Sequence, residues 1–233
     1  MRVLAGTSGY SYAEWKGSFY PEDLPATEML RYYAGKLPAV EINNTFYRMP
    51  KAEMLSRWAE TVPDGFVFAL KASQQITHRK RLKDAADPTA YFFQAATTLG
   101  DRLGPVLFQL PPNFKKDLSR LTEFLALLPP ASRSAFEFRH ASWFDKEVFA
   151  ALSERGAALC IAEDEELATP LVATTGWGYL RLRRQDYGEV EIRAWAQKIL
   201  AQPWSEAYVF FKHEEGGKGP SLADTLTRIL GTT

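Results

Sequence analysis

Glu137 and Arg139 stand two residues apart in a run that also carries Phe136 and Phe138. Alternate residues of a strand point to opposite faces. The two phenylalanines therefore share one face, and Ala135, Glu137 and Arg139 share the other. A buried Glu–Arg pair is costly without further partners. It is either a structural ion pair or part of a functional site, where perturbed ionisable groups gather. The pattern recurs: Glu41, Asn43 and, by parity, Thr45 alternate with Val40 and Ile42, and Arg181 and Arg183 alternate with Leu180 and Leu182. Other apolar runs end in Lys71, in Gln109, in Glu163-Asp164 and in Lys212-His213, while His78 and His140 follow shortly after two such ends.

These polar ends belong to regularly spaced elements. Short β-branched or aromatic runs at 3–6, 39–43, 66–71, 105–109, 134–139, 159–162, 179–183 and 208–211 read as strands. Helix-length amphipathic stretches alternate with them at 27–35, 51–60, 88–99, 118–128, 146–155, 189–201 and 221–230. Residues 165–178 hold at most a short or broken helix. Asp87-Pro88 has the form of a cap followed by proline in the first turn, and Gly35, Gly100, Gly156 and Gly231 follow apolar-periodic runs as helix-ending glycines. Eight βα repeats without a linker predict one closed parallel (β/α)8 barrel, a TIM-type α/β fold, spanning 1–233 as a single domain. A doubly wound open sheet is disfavoured, because Gly6-Thr7-Ser8-Gly9 lacks the dinucleotide-binding spacing. In a barrel, active sites collect at the C-terminal strand ends, where the polar residues fall.

Loops at the same rim add aromatics: Tyr10, Tyr12 and Trp15, then Phe46 and Tyr47, then Trp143, Trp177 and Tyr187. Such side chains either roof the barrel mouth or stack on a ring of a ligand. The segment Glu214-Glu215-Gly216-Gly217-Lys218-Gly219-Pro220-Ser221 is a glycine-rich turn into a helix, and reads as a plain turn or as an anion cradle.

Bulk properties restrict the choice. Of 233 residues, 46% are hydrophobic and 24% charged, enough for a sizeable core. The 28 basic and 28 acidic residues cancel, so attraction for an anionic partner must be local. Cys160 is the one cysteine, within an apolar run, which excludes a disulfide framework and suits a reducing cytoplasm. The N-terminal apolar run is too short for a signal-peptide core, and no membrane span is expected.

Several long motifs together resemble one family. They are Gly6-Thr7-Ser8-Gly9-Tyr10, Trp15 with Phe19-Tyr20-Pro21, Glu41-Ile42-Asn43-Asn44-Thr45-Phe46-Tyr47, and Phe68-Ala69-Leu70-Lys71 with Ile76-Thr77-His78. The series continues with Gly104-Pro105-Val106-Leu107-Phe108-Gln109-Leu110-Pro111-Pro112 and Phe136-Glu137-Phe138-Arg139-His140-Ala141-Ser142-Trp143. In this order they resemble the YecE-like proteins, the domain-of-unknown-function 72 family, over nearly the whole chain. The resemblance implies a TIM-type barrel but no reaction. It points to Glu41, Asn43, Lys71, His78, Gln109, Glu137, Arg139, His140 and Trp143 as residues that matter. The chain departs from the family pattern at Arg183-Arg184, where many members have His-Gly, and at Lys212-His213, where many have two asparagines. Both departures add positive charge.

The residues suit some mechanisms better than others. Glycoside hydrolysis needs two carboxyl groups about one bond, whereas nearby Lys71 and Arg139 should keep Glu41 and Glu137 ionised and remove the acid. A metal site needs converging His, Asp or Glu ligands, and the surrounding cations oppose it. A Schiff-base lysine, Lys71 or Lys212, fits a cationic, desolvated setting. The expectation is an enzyme without metal or cofactor, acting on a phosphorylated or carboxylated ring compound such as a sugar phosphate or nucleotide. Glu137 or Glu41 would be its base and His140 or His78 its acid. Tyr10, Trp15, Asn43, Tyr47, Lys71, Gln109, Arg139, Trp143, Arg181, Arg183 and Lys212 would bind the substrate. A nucleic-acid binding or processing barrel, including a metal-dependent one, and a non-catalytic ligand-binding barrel are the alternatives.

Overall fold

A computed structural model describes residues 1–163 and 167–231. Eight strands close into one all-parallel barrel in chain order: β1 Arg2–Ser8, β2 Ala39–Ile42, β3 Val67–Lys71, β4 Leu103–Gln109, β5 Ser134–Glu137, β6 Ala158–Glu163, β7 Trp177–Leu182 and β8 Glu206–Phe211. The α-helices are α1 Met29–Ala34, α2 Asn44–Tyr47, α3 Ala52–Thr61, α4 Ala86–Ala96, α5 Leu118–Leu127, α6 Lys146–Arg155, α7 Glu189–Leu200 and α8 Lys218–Gly231. Between β6 and β7 the described residues form no helix, and a single bridge from Glu163 to Ala168 is found instead.

The expected parity holds. Val40, Ile42, Phe136, Phe138, Leu180 and Leu182 lie in the layer between sheet and helices. The barrel axis is filled unevenly. Ala39, Ala69, Ala135 and Ala162 are small, and Tyr179, Tyr208 and Phe210 from β7 and β8 occupy the room they leave. Small residues facing large ones fill the barrel axis with buried side chains, as a close-packed interior requires. Tyr179 thereby reaches across to the β2 side.

Strand ends differ from the expectation in ways that bear on the rim. β1 runs on to Ser8, which adds a hydroxyl beside Glu41. β2 and β5 stop at Ile42 and Glu137, because Asn43 turns into α2 and His140 caps the short turn Ala141–Trp143. Thr45 does not continue the inward row; its hydroxyl donates to the Lys71 carbonyl at 2.7 Å and ties β2 to β3. At the helices, α4 begins at Ala86 with Ala85 in the cap position, so Asp87 does not cap it. Gly156 ends α6 in the left-handed conformation as expected, whereas Gly35 ends α1 in an ordinary right-handed one and Gly231 lies within α8.

The Gly6-Thr7-Ser8-Gly9 motif is explained locally. A Cβ on Gly6 would lie 1.9 Å from the Ala39 carbonyl oxygen and 3.2 Å from the Tyr33 hydroxyl. That buried hydroxyl accepts from the Thr7 amide at 2.9 Å and lies 3.0 Å from the Ala39 carbonyl, to which it donates. Gly9, at φ +96°, turns the chain over the end of β2 and donates its amide to Glu41 O at 2.8 Å. Gly6→Ala is therefore expected to lower the urea unfolding free energy by about 3 kcal/mol, since overpacking against backbone has no flexible neighbour to yield. A loss below about 1 kcal/mol would show that the β1–β2 contact has slack.

Candidate functional site

The rim residues that parity turns inward converge. Arg181, 2% exposed, lies between two fully buried glutamates. Its Nη2 donates to Glu41 Oε1 at 2.8 Å and its Nη1 to Glu137 Oε2 at 2.6 Å. Glu41 also accepts from Ser8 Oγ and from the Tyr179 hydroxyl, each at 2.7 Å. Glu137 accepts from Gln109 Nε2 at 2.9 Å and Arg183 Nη2 at 2.7 Å, with Arg139 Nη1 3.7 Å away. Strand register sets these meetings, placing Ser8 beside Glu41 and Gln109 beside Glu137.

Electrostatics follow from this wiring. Burial by itself drives the Glu137 pKa up, but Arg181, Arg183 and the Gln109 hydrogen bond outweigh it and bring it down to about 2. Burial likewise opposes ionisation of Glu41, and Arg181, Tyr179 and Ser8 hold its pKa below the usual value. The agents that keep both carboxylates ionised are chiefly Arg181 on β7 and Arg183 just after it, rather than Lys71 and Arg139. Carboxylates pinned in this way are weak bases and poor acids near neutrality.

Lys71 is placed differently. It is 8% exposed, and its Nζ makes no hydrogen bond or ion pair with a described residue. The ammonium rests 4.1 Å from the centroid of the Phe46 ring. Burial, followed by the charge of Arg181, lowers its pKa to about 8. His78 packs its ring edge-on against the same Phe46, 4.8 Å between centroids, and its Nδ1 is 3.0 Å from Thr77 Oγ1. Burial and the Lys71 charge lower the His78 pKa, so its imidazole is neutral at pH 7. It sits on a π-helical turn, Gln75–Arg79, followed by Arg81, Leu82 and Asp84 with positive φ. Such irregular turns are frequent at functional sites.

Most other expected site residues are positioned outside this cluster. Trp15 and Trp143 are buried to 1% and 0%. The indole of Trp15 donates to Glu214 O at 2.9 Å and joins the first loop to the last; that of Trp143 donates to Phe114 O at 2.7 Å while the ring stacks on Phe138 at 4.7 Å. Both are roof supports. Tyr47 is 72% exposed and packs edge-on against Phe46. Tyr10 is half-buried, and its carbonyl accepts from the Tyr20 hydroxyl. Asn43 Nδ2 approaches Glu41 at 3.4 Å. His140 accepts the Ser142 amide on Nδ1 at 3.1 Å, a capping role. Lys212 is exposed and, with Arg183, Gln185, His213, Glu214, Glu215 and Lys218, lines a hollow of about 390 Å³ next to the cluster. Glu163 turns away from the mouth, accepting from Trp195 Nε1 at 2.9 Å and the Tyr187 hydroxyl at 2.5 Å; Asp164 lies outside the described residues.

Sequence reasoning missed Ser8, Tyr179 and the role of Phe46. Tyr179 had a signal, since it shares parity with Arg181 and Arg183. Ser8 was hidden by the strand boundary, and Phe46 by its place in a loop. Among the described residues no group of three or more His, Cys, Asp or Glu side chains converges as metal ligands. None of their helices is long and apolar enough to cross a membrane.

A closed parallel barrel with an Arg-bridged pair of buried glutamates at its mouth defines the class of protein, and comparison names the family. The chain matches the family described as protein of unknown function DUF72 over residues 4–233, and it belongs to that family. UPF0759 protein YecE of Escherichia coli K12 is 35% identical over 118 residues, 50% of this chain and 43% of YecE, so the match spans less than half of that relative. UPF0759 protein YunF of Bacillus subtilis 168 is 23% identical over 217 residues, 85% of this chain and 75% of YunF. A DUF72 family protein of Thermotoga maritima MSB8, solved by crystallography, superposes with a TM-score of 0.87 at 27% identity, covering 99% of this chain and 100% of that one.

Removing the bridge exposes what it holds. Arg181→Met leaves two buried carboxylates without their main counter-charge and is expected to cost about 3–5 kcal/mol at pH 7. In the wild type the depressed Glu137 pKa stabilises above the unfolded value of 4.5, and that contribution is lost as pH falls toward about 2. In the variant Glu41 loses its arginine and Glu137 keeps Arg183 and the more distant Arg139, so both pKa values rise and the deficit should shrink as pH falls from 7 toward 4.5. Urea titrations at several pH values measure this; a pH-independent deficit would mean that packing, not charge, is what Arg181 supplies.

Proposed function

We propose that this protein is an enzyme acting without a metal ion on a small phosphorylated or carboxylated ring compound, a sugar phosphate or nucleotide, at the C-terminal mouth of its barrel. One observation carries the reading. Arg181 bridges Glu41 and Glu137 at the mouth, Arg183 adds a bond to Glu137, and Lys71 stands beside them without one. Lys71, buried and paired with no carboxylate among the described residues, is a cation whose match a substrate anion would supply. A hollow next to this cluster is lined by Arg183, Lys212 and Lys218, with Glu214 and Glu215 also in its lining. Such a hollow at the ends of β7 and β8 is where barrels frequently take a phosphate.

The division of ionisation supports catalysis rather than binding alone. Glu41 and Glu137 hold the arginines in place, and their own proton affinity is too low for a base at neutral pH. Lys71 and His78 are the groups whose lone pairs are accessible near neutrality, and they adjoin one aromatic ring. The sequence expectation of Glu137 as base is replaced in this reading by one of these two.

Thermal melts with inorganic phosphate, sugar phosphates, mononucleotides, a short oligonucleotide and divalent metals test the reading. A ligand at about 100 times its dissociation constant adds about 2.7 kcal/mol, an easily read rise. The expected result is a rise with phosphorylated small molecules that falls at least about tenfold in apparent affinity in Arg139→Ala, the loss of one charge-assisted contact. A rise confined to metal or to oligonucleotide would overturn it.

A further inference from the structure

We infer that Lys71 is a covalent nucleophile, whose amine condenses with the carbonyl group of a small anionic aldehyde or ketone to form an imine. This rests on the anion-binding reading and names the substrate class within it: an oxo acid, or the open-chain carbonyl form of a sugar phosphate.

The placement of Lys71 carries the inference. It ends β3, inside the ring of strand ends, and its side chain is nearly enclosed by the mouth. The other inward cations are tied to the glutamates: Arg181 to both, Arg183 and Arg139 to Glu137. Lys71 Nζ contacts instead an aromatic face, 4.1 Å from the Phe46 centroid, with no carboxylate within ion-pair distance among the described residues. A lysine meant only for structure would be expected to take up one of the two nearby carboxylates, and the arginines pre-empt both. The same arginines oppose its charge, as Glu137 and Glu41 favour it, and with burial the balance leaves a fraction of free amine near pH 8. A lysine desolvated beside other cations is the usual form of an activated amine.

The step balances simply. The Nζ lone pair attacks the carbonyl carbon, the carbonyl oxygen takes a proton, and nitrogen loses one, giving a carbinolamine. The C–O bond then breaks, the hydroxyl leaves with a proton as water, and a protonated imine remains. The net step consumes amine, carbonyl and one proton. His78 packs against the same Phe46 ring, its Nε2 has no hydrogen bond to a described residue, and it is suited to relaying that proton. Arg139, 24% exposed at the same mouth, would meet the substrate's carboxylate or phosphate.

Reductive trapping tests this in the intact protein. The chain is incubated at pH 8 with glyoxylate or with acetaldehyde, each with cyanoborohydride, and labelled lysines are mapped by peptide mass spectrometry; melts with glyoxylate alone are run in parallel. The expected result is labelling of Lys71 by glyoxylate on the order of tenfold or more ahead of the surface lysines, as a lowered amine pKa requires. Acetaldehyde meets the same lowered amine pKa but lacks the anion, so it should label Lys71 with a clearly smaller lead, and Arg139→Ala should reduce the glyoxylate lead. Equal leads with both aldehydes would keep the nucleophile and overturn the anion reading. A melting rise with glyoxylate but no lead at Lys71 would overturn the nucleophile and keep the anion site. Neither signal would overturn both. Lys71→Arg, which retains charge, should lose the leading label while still melting cooperatively; the wild-type map decides the matter if that variant fails to fold.

Discussion

Arg181 spans the barrel axis from β7 to Glu41 on β2 and Glu137 on β5, at 2.8 and 2.6 Å. Three charged groups buried together are expensive to desolvate, and they are tolerable only when nearly every polar atom is matched. Ser8, Tyr179, Gln109 and Arg183 supply those matches from four further positions around the mouth. Most of the inward rim is therefore fixed by one need, that two buried carboxylates and one guanidinium be satisfied. Strand register is constrained with it. A one-residue slip of β7 would turn Arg181 toward the helices and bring Leu182 or Leu180 to the axis, exchanging a matched ion pair for two unpaired carboxylates.

The uneven filling of the interior belongs to the same design. Small side chains on β2, β3, β5 and β6 leave room that the aromatics of β7 and β8 occupy. That asymmetry carries the Tyr179 hydroxyl to Glu41, 2.7 Å away, with no water needed between them. On the outer side, the series Phe108, Phe136, Phe138 and Trp143 stacks behind β4 and β5 and supports the turn that carries His140. Pocket chemistry and aromatic packing are thus separated by strand parity, one to each face.

The rim divides its charges into two kinds. The glutamates, Arg181 and Arg183 are locked together and have little capacity to change protonation near neutrality. Lys71 and His78 sit just beyond that locked set, against Phe46, and retain it. A rigid, permanently charged frame with titratable groups at its edge is what the proposed chemistry on an anion would use, because such a frame costs no reorganisation.

The sequence alone determined the barrel, because eight alternating βα repeats have few other ways to bury their strands, and it determined which rim residues face inward, because strand parity is strictly two. Glu41, Glu137, Arg181, Arg183, Lys71 and Gln109 were legible on that ground, and long motifs made the family legible too. Tertiary structure alone decided who partners whom. Arg181 meets Glu41 140 positions away in the chain, a contact set by barrel closure and stagger that no local pattern encodes. It also decided the fate of the loop aromatics: Trp15 and Trp143 have the composition of a ligand-stacking surface, yet each indole N–H finds a carbonyl inside the protein and the ring is buried. Residue type states what a side chain can do; whether it keeps a free atom to do it depends on neighbours brought near only by folding.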